Sequence, residues 1–458
     1  MPFYIRIMDQ AEVGGVFNIY SYIAVVLVIL TFGFETGYFR YINKENRQAL
    51  LKNLGSVILL VSILFCALVY LFKENIEFYL GNEYLVADYF VIGALIVAMD
   101  AITSIPFADL RMGNRTVKYA VLKFLSVVLN IVFLTFFLVL CPYLINNGYE
   151  SVSMIYNPNI KPYYVFVANL LSSVIIGLYL VPKIFTSSAR LSFNSIKPII
   201  KYSYPIMIVG LFGMLIQNID KILMPHLLSE NAMESLAIYG ANYKIGILMA
   251  IFIQSYRLAF EPFFFKEGKQ NASKELYAKV LKYFVLFGLI IYIGVLVFID
   301  VINLILLPEY IEGNKIIPYI LLGQLFFGIY YSLSLWYKLT DRTSYGAVIS
   351  GIGAILAIVG NLILVPKLGY IGASITSFGC FFLMTVISYF LGQRFYPIAY
   401  PIVRLTIHIV IAITVVYFSQ YLYSDNQLFH FVIKGTIFVS YFGFLYIIER
   451  KDLIKILT

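Results

Sequence analysis

Thirteen stretches of this 458-residue chain are predominantly apolar for 18 to 25 residues and are separated by short polar segments. They cover 16–39, 54–72, 85–107, 119–141, 163–182, 202–226, 236–258, 283–307, 316–337, 345–366, 370–391, 405–422 and 431–448. A helix that crosses a bilayer needs about 20 such residues. In hydrocarbon every backbone donor and acceptor has to be satisfied within the protein, which leaves helices or a closed barrel. A barrel strand alternates lipid-facing and lumen-facing residues, and these runs do not alternate. The pattern therefore predicts an all-α integral membrane protein. Tyr or Trp stands at many of the run ends (Tyr119, Tyr163, Tyr202, Tyr283, Trp336, Tyr370), where an interfacial belt belongs.

Composition agrees and excludes several classes. The chain is 61% hydrophobic and 12% charged, whereas a soluble domain carries roughly 25% charged residues. The net charge of +9 lies in the connections. Alternate connections beginning with 40–53, with Arg257 at the end of its run counted among them, hold 24 of the 33 Lys and Arg, the opposite set holds five, and Lys123, Lys221, Lys244 and Lys434 lie within runs. The positive-inside rule accounts for that split and predicts a cytoplasmic C-terminus; no nucleic-acid partner is implied. The three cysteines (Cys66, Cys141, Cys380) sit singly in apolar runs, without CxxC or His/Cys spacing, so neither disulfide nor metal is expected. No phosphate-binding loop or nucleophile elbow is present. The largest connections, 142–162 and 259–282, are too small for a soluble catalytic domain. The opening Met1-Pro2-Phe3-Tyr4-Ile5-Arg6 is apolar but too short to span. It reads as the last turn of a further helix, or as an interfacial segment with Arg6 snorkelling.

Charged groups inside the runs are the candidate chemistry, because ionisable residues at bilayer depth are costly and normally face a bundle interior or a wet cavity. The segment Gln217-Asn218-Ile219-Asp220-Lys221 is the main example. At helical spacing Gln217, Asp220, Lys221 and Met224 share one face. Lys244 follows in the next run, and at about 1.5 Å per residue both lysines lie in the outer third. Lys123 and Arg257 lie nearer the cytoplasmic side. The acids Glu35, Asp100 and Asp300 also fall in runs. Two roles stand open. The cations line a transport pathway, or Asp220 pairs statically with Lys244. Asp100 binds a coupling Na⁺ or H⁺, or it pairs with a lysine or bonds a hydroxyl such as Thr103 or Ser104. Lys434 is expected to snorkel.

The chain also repeats. Ile19-Tyr20, Arg40 and Lys44-Glu45 match Ile238-Tyr239, Arg257 and Lys266-Glu267, and Asn114-Arg115-Thr116 matches Asp341-Arg342-Thr343. Two similar lobes with a cavity between them follow. The segments that carry a family likeness are Met8-Asp9-Gln10-Ala11-Glu12-Val13-Gly14, Asn218–Leu223, Tyr239–Lys244, Phe260-Glu261-Pro262 and Asn361–Ser374. With them nearly the whole chain resembles the polysaccharide flippase branch of the multidrug/oligosaccharidyl-lipid/polysaccharide exporter superfamily. The resemblance implies a MATE-like two-lobed bundle of fourteen helices, of which thirteen are visible and the first is expected to be missing here. It divides the chain into an N-terminal lobe (1–200), a C-terminal lobe (201–395) and two additional helices (396–458).

The resemblance further implies a bacterial cytoplasmic-membrane flippase for polyprenyl-pyrophosphate-linked oligosaccharides, serving O-antigen, capsule or exopolysaccharide synthesis beside a polymerase. Cations suit a pyrophosphate through charge-assisted hydrogen bonds. Lys221 and Lys244 are then head-group ligands, with Gln217 on their face and Arg257 and Lys123 lower, while Asp220, Asp100 and Glu35 serve ion coupling or charge pairing. No cofactor beyond a coupling Na⁺ or H⁺ is expected. A cation-coupled drug antiporter of the same fold is the alternative, although paired lysines suit it poorly. A membrane glycosyltransferase or polymerase ranks lower, because the outer connection 142–162 holds one acid, Glu150, and one base, Lys161.

Overall fold

The computed structural model describes residues 4–42, 46–81, 84–112, 115–185, 193–268, 274–340, 342, 344–422 and 426–457. Lys44, Glu45, Asn114, Asp341 and Thr343 of the proposed repeat lie outside these residues. Thirteen described helices are long and apolar enough to cross a membrane. They are α1 (Gln10–Tyr41), α2 (Arg47–Leu71), α3 (Ala87–Met112), α4 (Thr116–Asn146), α5 (Pro158–Phe185), α6 (Ser195–Leu227) and α7 (Ala232–Arg257). There follow α8 (Lys274–Val297), α9 (Pro308–Tyr337), α10 (Ser344–Leu368), α11 (Tyr370–Phe395), α12 (Ile402–Ser419) and α13 (Phe429–Arg450). No strand forms among the described residues. Most helices run several residues past the apolar stretch that signals them, since backbone bonding continues into the interface where polar side chains are tolerated.

The chain forms two compact units, Met1–Ala237 and Ile238–Thr458. In the first, α3 packs against α1, α2 and α5, and α6 lies along α1. Leu30, Leu54, Ile58, Val97, Ala101, Ile105 and Ile199 join in its core. In the second, α8 packs against α9, α12 and α13, and α11 packs against α9 and α10. A core of Val285, Leu289, Ile293, Ile317, Leu321 and Leu325 surrounds α8.

Three local features position charged groups. The acidic segment at the start of α1 is a capping box, with Asp9 at the N-cap and its backbone N–H donating to Glu12 Oε2 at 3.1 Å. Helix α1 is broken inside the membrane at Phe32 and Gly33, which have φ of 51° and 67°. Gly33 lies against the Ser203 carbonyl of α6, where an added Cβ would stand 3.0 Å from that oxygen. The helix restarts at Phe34 and carries Glu35 and Tyr38 on its final turns. Lastly, α10 and α11 are joined by Gly369 alone, with φ of 59°, a value that favours glycine. This is the turn within Asn361–Ser374, the segment that carries the most specific family likeness.

Candidate functional site

Asp220 and Lys221 occupy the buried face of α6. Adjacent helical residues do not normally face each other, and the sequence leaves a static pairing of Asp220 with Lys244 as one of two open readings. The structure pairs Asp220 with Lys221. The Lys221 side chain folds back towards the N-terminal turn, so that Nζ donates to the Gln217 carbonyl at 2.7 Å and to Asp220 Oδ1 at 3.2 Å. Asp220 Oδ1 also accepts from the Lys221 backbone N–H at 2.8 Å. The length of the lysine stem makes this neighbour pair possible. Both groups are shielded: the side chains are 10% and 1% exposed.

Pro225 completes the arrangement. Proline has no N–H, so the carbonyl four residues earlier, that of Lys221, loses its helical donor. Asn18 on α1 supplies one instead, its Nδ2 donating to the Lys221 oxygen at 2.8 Å. Asn18 is 1% exposed. Sequence reasoning did not single it out; the available signal was a lone amide in an apolar run together with a proline four residues after a charged one.

Lys244 belongs to the second unit. It stands on a short 3₁₀ turn, Lys244–Gly246, that interrupts α7 between Tyr243 and Ile247, and it is exposed at the protein surface. Arg257, at the end of the same helix, lays its guanidinium over the Tyr331 ring at 4.2 Å. In the same unit Gln324 donates to Tyr243 at 3.2 Å and Ser332 to Tyr256 at 2.8 Å.

In the first unit Asp100 takes a hydroxyl partner other than the two expected. Ser173 Oγ on α5 donates to Asp100 Oδ1 at 3.0 Å. Thr103 and Ser104 instead donate to the backbone carbonyls of Asp100 and Ala101, as hydroxyls one turn away commonly do. Lys123 stands 4.3 Å from the centre of the Phe107 ring. Asn169 donates to Tyr20 at 2.9 Å within the same unit. Glu35 is ion-paired to Arg111, whose guanidinium also lies over the Phe39 and Tyr119 rings. Arg47 and Tyr38 bind Asp109 nearby.

Two further charge clusters were not legible as such. Glu449, 2% exposed, accepts from Lys282 at 2.8 Å and lies 2.7 Å from Arg404 Nε and 3.3 Å from His408 Nε2. This joins α8, α12 and α13. At the other end of α8, Asp300 lies beyond the span rather than within it, on the short helix Ile299–Asn303. It binds Lys434, which is thus an ion-pair partner reaching a carboxylate beyond the span, and His430 lies 3.1 Å away. Burial pushes the Asp300 carboxyl up; hydrogen bonds from Lys434 and His430 outweigh it and hold the group below the usual carboxylate range. A cavity of about 630 Å³ beside this cluster is lined in part by Asn314, Lys315, Tyr319, Gln420 and Lys434. No group of three or more His, Cys, Asp or Glu fit to hold a metal occurs among the described residues.

Thirteen apolar helices among the described residues, with charges buried between them, make this a multi-pass membrane protein. The chain belongs to the polysaccharide biosynthesis protein family, whose model matches residues 1–267. A curated relative, an uncharacterized membrane protein of Methanocaldococcus jannaschii, is 25% identical over 426 residues, covering 84% of this chain and 78% of the relative. The fold is like that of the lipid II flippase MurJ in an inward closed conformation, with TM-score 0.63, 14% identity, and coverage of 97% of this chain and 98% of that one. It is similarly like an inward-facing multidrug resistance MATE family transporter of the MOP superfamily, with TM-score 0.64, 13% identity, and coverage of 84% and 89%.

Proposed function

We propose that this protein is a flippase that carries polyprenyl-pyrophosphate-linked oligosaccharide across the cytoplasmic membrane by alternating access, for surface polysaccharide such as O-antigen or capsule. The observation that carries this reading is the family match over residues 1–267, joined to a fold like that of a lipid II flippase along 97% of the chain. Transport rather than catalysis fits, because the family and fold neighbours are transporters and flippases. A polysaccharide polymerase is the expected downstream partner, and the C-terminus is cytoplasmic in this reading.

Lys221 and Lys244 are the proposed head-group ligands, with Gln217 beside the first and Arg257 and Lys123 nearer the cytoplasmic side in this reading. The pairing of Lys221 with Asp220 is compatible with this role. When the ammonium turns to an anion, the carboxylate keeps the backbone N–H of Lys221 and is not left without a donor, so the exchange avoids the full cost of an orphaned buried charge. Asp100, held by Ser173, is the proposed coupling group for Na⁺ or H⁺, with Asp220 and Glu35 in pairing roles. In a cell that depends on this protein for surface polymer, Lys221→Ala with Lys244→Ala is expected to abolish polymer while the protein still reaches the membrane. Normal polymer from that double variant rules the assignment out.

A further inference from the structure

Helix α12 presents two opposite faces to its unit. Arg404 and His408 hold one of them against Glu449 and Phe444 of α13, and α12 also packs on α8. The other face carries Ile402, Leu405, Ile409 and Ile413 at helical spacing. It looks across a gap at α9 and α11, which pack tightly on each other. The gap is a cavity of about 470 Å³, and all of its lining residues belong to the second unit.

The chemistry of this cavity suits hydrocarbon and not water. Among its lining residues only Thr385, Tyr389 and Thr406 carry a polar group, and none is charged. The Thr385 hydroxyl is committed to the Phe326 and Phe381 carbonyls, at 2.9 and 2.8 Å. A buried water needs two to four polar partners, whereas an apolar cavity of about 150 Å³ already takes up a hydrocarbon guest. Facing side chains such as Phe326 and Leu405 gain van der Waals contact across so wide a gap only from an apolar occupant. At the rim Phe382, Phe390, Ile402 and Ile413 are exposed. Helices α11 and α12 are membrane spans, so the medium at that rim is lipid.

Length narrows the choice of occupant. Ile402 and Ile413 are 11 positions apart, a rise of about 16 Å, and half of the hydrocarbon core is about 15 Å. Ile402 opens its span, so the cavity runs from the interface to mid-membrane, the reach of one leaflet. At the inner end Leu322, Phe378 and Ile413 also line the larger cavity beside Asp300. These three side chains stand as a waist between two compartments. A long prenyl chain needs a lane through that waist; the acyl chain of an ordinary phospholipid needs one compartment.

We propose that this cavity seats a resident diacyl phospholipid, one acyl chain of which lies between α12 and the α9–α11 pair, with its head at the Ile402 end. The chain completes the packing of α12, and the site does not depend on the transport reading. The test is native mass spectrometry of the detergent-purified, delipidated full chain titrated with palmitoyl-oleoyl phosphatidylethanolamine. The wild type is expected to bind one molecule more tightly than any further ones. Ile409→Trp fills the cavity from α12 and is expected to weaken that event about tenfold or more. Ile407→Trp, at an exposed position of the same helix, is expected to leave it in place. Val386→Phe fills the cavity from α11, is expected to act as Ile409→Trp does, and keeps the test valid should the tryptophan pack poorly. Dihexanoyl phosphatidylethanolamine, with the same head and short chains, is expected not to compete. Equal binding by the filled and control variants, or competition by the dihexanoyl lipid, overturns the proposal. Displacement by a long-chain polyprenyl phosphate where an equal amount of palmitoyl-oleoyl phosphatidylglycerol displaces nothing would make this a prenyl site and overturns it as well.

Discussion

Asn18 and Pro225 show how one residue's backbone can depend on a side chain 203 positions away. Pro225 withdraws the donor that the Lys221 carbonyl would have in a regular helix, and Asn18 replaces it. Asn18→Leu leaves that buried carbonyl unsatisfied and is expected to cost about 1–3 kcal/mol. In a Pro225→Ala background the helical N–H is restored, so the same substitution is expected to cost much less. Thermal melting of the four proteins in detergent measures the difference, and equal losses in both backgrounds refute the replacement. From the sequence, Lys221 and Asp220 stood out because charge is rare at this depth. Their mutual bond did not, since adjacent positions on a helix point apart and only the flexibility of the lysine stem brings Nζ back to the carboxylate. Ser173 as the partner of Asp100 was equally invisible, because it is 73 positions away on a helix whose rotation the sequence leaves open.

Helices α8, α12 and α13 are tied at one end by Glu449 and, for α13, at the other by Asp300. Replacing Glu449 with Gln removes the charge that Lys282 faces in a dry site, where that side chain is 6% exposed, and breaking such a pair costs about 3–5 kcal/mol. Arg404→Ala is expected to cost less, because Arg404 is 39% exposed and can be solvated. The Asp300 tie has a pH dependence of known sign. Its carboxyl is held below the usual range in the folded protein, so its contribution is complete above the unfolded value of about 3.9 and is lost as pH falls through the lower folded value. Between pH 6 and pH 3 the melting temperature should fall more for the wild type than for Asp300→Asn, measured in the same detergent; parallel curves would contradict the assignment. Asp300 looked like part of a span from hydropathy alone. The chain ends the span at Val297 and turns, which frees the carboxylate to meet His430 and Lys434. The break at Phe32-Gly33 was marked only by its glycine inside an unbroken apolar run.

For the whole molecule, thirteen apolar runs with 24 basic residues in or beside one set of connections against five in the other predict a cytoplasmic C-terminus. A C-terminal fluorescent protein that folds only in the cytoplasm should be bright, and the same fusion after residue 423, between α12 and α13, should be dark. The reverse pattern inverts the topology. The family match, the transporter fold and the count of spans agree with the sequence reading, because each rests on the length and composition of apolar runs and on short motifs such as Asn361–Ser374.

Those features are local. The solvent dictates them: hydrocarbon demands about 20 apolar residues per crossing and closed backbone hydrogen bonds, and every residue of a run reports the demand independently. Partner choice is not local. Whether Asp220 meets its neighbour Lys221, whether Asp100 meets Ser173 or Thr103, and whether Lys434 is free or bound to Asp300 depend on helix rotation and on where a proline or glycine interrupts the ladder. Packing between helices decides these, and in an apolar run nearly every rotation looks alike to the sequence.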